Sequence, residues 1–290
     1  MRVSRSEQTM AFEIQAHRGG RAFFPENTLH AFCHAATCGV RVIELDLFVT
    51  KDHEVIVSHD PWLSGPLCSD PDGVPLGVDA KGFTLYDMPY ADILRFDCGR
   101  PHPSFPQQSR IITAKPLLST VFSEVDTFML DAGLSGSMVY NLEIKSWPAE
   151  DGLLHPPPEQ YAALVVQLVV AAGFTSRVRL QSFDWRVIRE AWKICPHLCY
   201  GLLLDDRANM VPFLSDLGFV PQYLNPHLSL VDRDMFDFLH LQGIKAIPWT
   251  VNLPKEMLSM QQVGANGIIT DYPELALSLF SSSSMPQSGY

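Results

Sequence analysis

The sequence is short of positive charge: 21 lysines and arginines stand against 32 acidic residues, a net charge of -11. Nucleic acids and anionic membrane surfaces are held by basic patches, so neither is an expected partner. Long apolar runs are also missing. The opening MRVSRSEQTM has no apolar core of a secretory signal. The longest apolar stretch, Tyr161 to Phe174, is interrupted by Gln167 and too short for a transmembrane helix. A cytoplasmic protein is the resulting expectation. The six cysteines, at 33, 38, 68, 98, 195 and 199, form no CxxC pair and no regular framework. They read as reduced thiols, not as a disulfide scaffold or a zinc motif. No glycine-rich phosphate loop follows the first apolar strand, which disfavours an open dinucleotide-binding sheet.

What is present concentrates between Ala16 and Asp60. The segment begins AHRGGRAFFPENT, continues as a helical run and then reads VIELDLFVTKDHEVIVSHD. Side chains alternate across a strand, so Glu44 and Asp46 point to one side, with Leu45 opposite. Two neighbouring acids repel and are costly to desolvate, and a cation between them relieves both penalties. His17 and His59 each close an apolar run, EIQA and VIVS, where strand gives way to loop. Barrel enzymes keep their chemistry at such strand ends. Downstream, MVYNLEIKS places Glu143 and Lys145 on one face with Ile144 opposite. The pair is either a structural ion pair or a third metal ligand beside a phosphate contact. Three carboxylates suit a hard divalent cation, Mg²⁺ or Ca²⁺, better than zinc.

The succession HRG, PENT, ELD, TKD and VSHD resembles the glycerophosphodiester phosphodiesterase family, a branch of the phosphatidylinositol phospholipase C-like barrels. NLEIK at 141 to 145, QSFDW at 181 to 185, PWTVN at 248 to 252 and GIITDYP at 267 to 273 extend the likeness in order along nearly the whole chain. The resemblance implies metal-dependent hydrolysis of glycerophosphodiesters, such as glycerophosphocholine or glycerophosphoethanolamine, to glycerol 3-phosphate and an alcohol. It assigns Glu44, Asp46 and Glu143 to one divalent cation, and His17 and His59 to acid and base catalysis. Arg18 and Lys145 are the expected phosphate contacts. Two alternatives are a phospholipase D-like enzyme acting on lysophospholipid or sphingolipid, and a barrel that binds a phosphorylated ligand without cleaving it.

Apolar runs and helical patterns alternate. Strands centred near 14, 43, 56 or 140, 179, 201, 223, 247 and 268 predict a (β/α)₈ TIM barrel over residues 11–280. Its length and a hydrophobic content of 47% suit a single barrel. Residues 61–136, rich in Pro, Gly and Asp at their start, break the alternation and predict an insertion over the active-site mouth. Residues 1–10 and the serine-rich 281–290 are expected to be disordered. Strand counting puts Gln181 and Trp249 at strand ends as pocket-lining candidates, and makes Asp271 a cap for the last helix. Thr28 or Asn27 is expected to cap the first helix, with Gly39 ending it. Glu26 and Asn27 read equally as loop braces or as ligand contacts, and His53 as a solvated turn residue. Oligomeric state is not legible in the sequence.

Overall fold

The computed structural model describes residues 12–77 and 82–282. Residues 1–10 lie outside them. The first barrel unit runs from β1 (Glu13–Ala16) through α1 (Leu29–Thr37) to β2 (Val42–Val49). Thr28 caps α1, its side chain accepting from the Ala31 amide at 3.2 Å. Then follow a hairpin strand β3 (Val55–Val57), the short α2 (Tyr90–Ile93), α3 (Leu118–Asp131) and β4 (Val139–Ile144). Regular alternation resumes with α4 (Pro158–Ala171), β5 (Val178–Ser182), α5 (Trp185–Ile194), β6 (Cys199–Leu204), α6 (Met210–Leu217) and β7 (Tyr223–Pro226). It ends with α7 (Arg233–Leu241), β8 (Lys245–Ala246), α8 (Pro254–Val263), β9 (Gly267–Thr270) and α9 (Pro273–Ser282). The tail beyond Ser282 lies outside the described residues.

The parallel strands follow the order β8-β7-β6-β5-β4-β2-β1-β9. Backbone hydrogen bonds from Asn266 to Ala246 and from Ile269 to Pro248, both 2.9 Å, bring β9 against the end of β8. The eight parallel strands thus form the expected (β/α)₈ barrel. β3, the alternative third strand, pairs only with β2 and antiparallel to it, so β4 takes the barrel position. Alternation sorts each strand. Ile43, Leu45, Leu47, Tyr140, Leu142, Ile144 and Leu180 face the helices in the main core, which leaves Glu44, Asp46, Asn141, Glu143, Arg179 and Gln181 to the barrel interior. That interior is polar and paired: Arg179 forks onto Glu13 at 2.6 and 2.8 Å, Asn141 donates to Gln15, and Asn225 donates to Gln181.

The excursion off the barrel is shorter than residues 61–136. Leu118, Val121, Phe122, Val125 and Met129 of α3 belong to the main core, so α3 is a barrel helix. The residues between the β2–β3 hairpin and α3 build a separate small core around Ile56, Leu63, Leu67, Leu85, Ile93 and Phe96. Within it Cys68 and Cys98 form a disulfide, which corrects the expectation that all six cysteines are thiols. The other four are free. The bridge spans 30 residues of a segment with little regular structure, where closing a loop restricts the unfolded chain most effectively. Replacing both cysteines with serine is expected to lower the unfolding free energy by about 2–4 kcal/mol. Urea titrations with and without reductant check this: reductant should destabilise only the parent protein. Among the described residues, no helix is long and apolar enough to cross a membrane.

Candidate active site

At the C-terminal end of the strands a cavity of about 310 Å³ opens. Every candidate site residue lines it except Asp46, which is 1% exposed. His17, Arg18, Glu44, His59, Glu143, Lys145, Gln181 and Trp249 therefore meet in one place. One carboxylate oxygen from each of Glu44, Asp46 and Glu143 lies within 4.8 Å of the other two. This follows from register: Asp46 is paired with Glu143 across the parallel β2–β4 ladder, and Glu44 with Asn141 two residue pairs earlier, so the three acids share one inward face.

The burial of these acids has clear electrostatic consequences. Burial, then Asp46, then Glu143 push Glu44 well above the usual carboxylate range. Burial and Asp46 also raise Glu143, against the pull of Lys145. Burial works on Asp46 in the same direction but is outweighed by Lys145 and Arg18, and the group is held well below its usual range. Lys145 Nζ stands 3.0 Å from Asp46 Oδ1 and 2.6 Å from Glu143 Oε1. Lys145 thus bridges two of the three acids. The repulsion that raises Glu44 and Glu143, and an all-oxygen set of three clustered carboxylates, fit a hard divalent cation.

The loop after β1 is built to reach this cluster. Arg18 takes a left-handed conformation (φ 51°), a position that costs a non-glycine residue about 1–2 kcal/mol. Its amide N–H thereby donates to Glu44 Oε2 at 3.0 Å. Gly20 (φ 79°) packs so closely on Pro273 that a Cβ would lie 2.7 Å from Pro273 Cγ, so only glycine fits. Glu26 and Asn27 act as braces. Asn27 donates to Asp46 Oδ2 at 2.8 Å, and Glu26 accepts from Arg18 Nη1 at 2.8 Å and Arg21 Nη1 at 2.7 Å. Buried Glu26 is held below its usual range because Arg18 and Arg21 outweigh desolvation.

Both histidines are oriented by an aspartate. His17 Nδ1 lies 2.6 Å from Asp271 Oδ1, and His59 Nδ1 lies 2.9 Å from Asp60 Oδ1. An ionised carboxylate only accepts, so Nδ1–H donates in each pair and Nε2 is the nitrogen left for proton exchange. Burial pulls the His17 pKa down and outweighs the attraction of Asp271. Asp271 is thus not a helix cap. It also accepts from Arg21 Nε at 2.9 Å and from Asn252 Nδ2 at 2.8 Å. Alternation offered the missed signal, because Gly267, Ile269 and Asp271 share one face and the last of them follows the strand end. Arg21 and the apolar lining residues Phe183, Leu203 and Ile269 carried no such mark in the sequence.

The two pocket candidates sit on the far wall. Gln181 accepts from Asn225 Nδ2 at 2.7 Å, and Trp249 donates from Nε1 to the Asn225 carbonyl at 2.8 Å, with Phe183 edge-on to its ring. A second groove of about 460 Å³ adjoins the cavity, sharing His59 and Lys145 and walled by Pro61, Trp62, Trp147 and Leu154. His53, by contrast, is an exposed turn residue as expected.

Known proteins with related sequences and folds agree on the family. A glycerophosphodiester phosphodiesterase of Caldanaerobacter subterraneus is 29% identical over 92% of this chain and 96% of its own. The human lysophospholipase D GDPD1 is 26% identical over 93% of this chain and 86% of its own. Among solved structures, a candidate glycerophosphoryl diester phosphodiesterase of Silicibacter pomeroyi DSS-3 superposes with a TM-score of 0.83 at 25% identity, covering 95% of both chains. An Oleispira antarctica phosphodiesterase, solved with the product sn-glycerol-3-phosphate, gives a TM-score of 0.72 at 20% identity over 94% of this chain and 98% of its own. The family's sequence model matches residues 17–275, and the chain belongs to the glycerophosphoryl diester phosphodiesterase family.

Proposed function

We propose that this enzyme hydrolyses glycerophosphodiesters, glycerophosphocholine and glycerophosphoethanolamine among them, to glycerol 3-phosphate and an alcohol. One observation carries the reading: two aspartate-oriented histidines line the same cavity as a three-carboxylate cluster. Glu44, Asp46 and Glu143 hold one divalent cation, Mg²⁺ or Ca²⁺, which when bound offsets charge on a phosphoryl oxygen. Lys145 and Arg18, paired with those acids, are the cations positioned to turn toward the substrate phosphate. Neutral His17 takes the proton of the attacking hydroxyl, whether of water or of the glycerol 2-position, as the new P–O bond forms. His59 returns a proton to the departing alkoxide as the old bond breaks. Gln181 and Trp249 line the wall against which the alcohol portion packs.

Release of glycerol 3-phosphate from glycerophosphocholine tests this. Activity should vanish in EDTA and return with Mg²⁺ or Ca²⁺, and a folded protein inactive with either metal would refute it. The groove between Trp62 and Trp147 favours a second reading, lysophospholipid hydrolysis, since it offers an apolar wall directly beside His59 and Lys145. Its first side belongs to the excursion, which on either reading shapes specificity at the mouth. A purely binding role is disfavoured because every acid, histidine and cation the chemistry needs is in place. The cytoplasmic placement read from the sequence stands against the Cys68–Cys98 bridge, since cytosolic thiols are normally kept reduced.

A further inference from the structure

Away from the cavity, α1 and α9 bring together three side chains that no spacing motif announces. His34 in the last turn of α1 and Cys38, the residue capping its C-terminus, lie four residues apart on one side, and Glu274 stands in the first turn of α9. His34 Nε2 is 2.6 Å from Glu274 Oε1, Cys38 Sγ is 3.4 Å from the same oxygen, and Sγ is 3.6 Å from Nε2. A tetrahedral zinc ion with Zn–S of about 2.3 Å and Zn–N or Zn–O of about 2.0–2.1 Å sets sulfur about 3.5 Å from its neighbouring donors. The two sulfur distances already match. The nitrogen–oxygen pair, now closed by a hydrogen bond, would open by less than about 1 Å to reach the tetrahedral edge. Glu274 Oε2 is buried with no hydrogen-bond partner, an unsatisfied carboxylate oxygen at the same point. The ring of Phe24, 5.0 Å from that of His34, covers one side.

We propose that His34, Cys38 and Glu274 form a binding site for a borderline-soft transition cation such as Zn²⁺, separate from the all-oxygen cluster in the barrel. Binding releases the thiol proton to solvent, shifts the His34 ring proton from Nε2 to Nδ1 so that Nε2 can ligate, and replaces the His34–Glu274 hydrogen bond with two metal bonds, leaving a fourth position for water. The nitrogen and sulfur donors set its preference: Mg²⁺ and Ca²⁺ bind oxygen, so the two sites take different metals. The ion would pin α1 to α9, and both helices abut the loop that carries His17 and Arg18.

Cobalt titration of the purified full chain reads the site directly. Wild-type protein should bind one Co²⁺ with a near-ultraviolet sulfur-to-metal charge-transfer band that Zn²⁺ displaces. The band should persist in Asp46→Asn, which removes a ligand only from the barrel cluster, and disappear in Cys38→Ser. Competition with a chromophoric chelator should show Zn²⁺ affinity falling at least about 100-fold in Cys38→Ser and His34→Ala, with hydrolysis of glycerophosphocholine unchanged. Absence of the band in wild-type protein, or its survival in Cys38→Ser, would overturn the proposal.

Discussion

Glu44→Gln and Asp46→Asn are each expected to reduce kcat by about 10³-fold or more, the scale of several kcal/mol of lost charge stabilisation at phosphorus. Metal-stimulated turnover should disappear in both. What separates a ligand role from a structural one is stability. Glu44 is a buried carboxylate raised by burial and by its acidic neighbours, so ionising it opposes folding of the metal-free chain at neutral pH. Replacing it with the neutral amide should leave the metal-free melting temperature unchanged or higher, while abolishing the rise that Mg²⁺ or Ca²⁺ gives the parent protein. Asp46 differs, because Lys145 and Arg18 stabilise its charge. Asp46→Asn should destabilise the metal-free chain as well as inactivate it. Retained metal-dependent turnover in either variant would refute the assignment.

The second large effect is expected at Asp271. Asp271→Asn should lower kcat by about 10²–10⁴-fold, because an amide no longer holds the Nδ1–H tautomer that leaves His17 Nε2 as the acceptor. Asp60→Asn should cost far less. Its side chain is 32% exposed against 2% for Asp271, so water can take over its hydrogen bond. His17 also gives a pH signature. Its folded pKa lies below the ordinary 6.5, so the unfolded chain takes up this proton first as pH falls. The stability tied to neutral His17 is complete above about pH 6.5 and declines below it. His17→Ala should flatten that acid limb in denaturant titrations between about pH 6.5 and 5, and an unchanged slope would show that another group sets it.

Much of this was legible because strand alternation is a strict geometric rule. Glu44, Asp46, Glu143 and Lys145 were placed by period two alone, and the ladder between β2 and β4 then brings them together. Asp271 obeys the same rule, but the following Pro273 suits a helix start so well that the local sequence favours a cap. The excursion's end is hidden for a related reason: composition marks where Pro, Gly and Asp begin, but only the packing of Val121, Phe122 and Val125 shows that α3 belongs to the barrel. Arg21 and the Cys68–Cys98 bridge depend on tertiary approach, which carries no local periodicity.

The pairing of His17 with Asp271, 254 residues apart, has a consequence in time. A ribosome adding roughly 5–20 residues per second exposes the histidine some tens of seconds before it supplies the aspartate. Throughout that interval β1 also lacks β9, its neighbour on one side. The histidine of the site is therefore aligned only once β9 and Asp271 have been made, after the groups contributed by β2, β4 and β5.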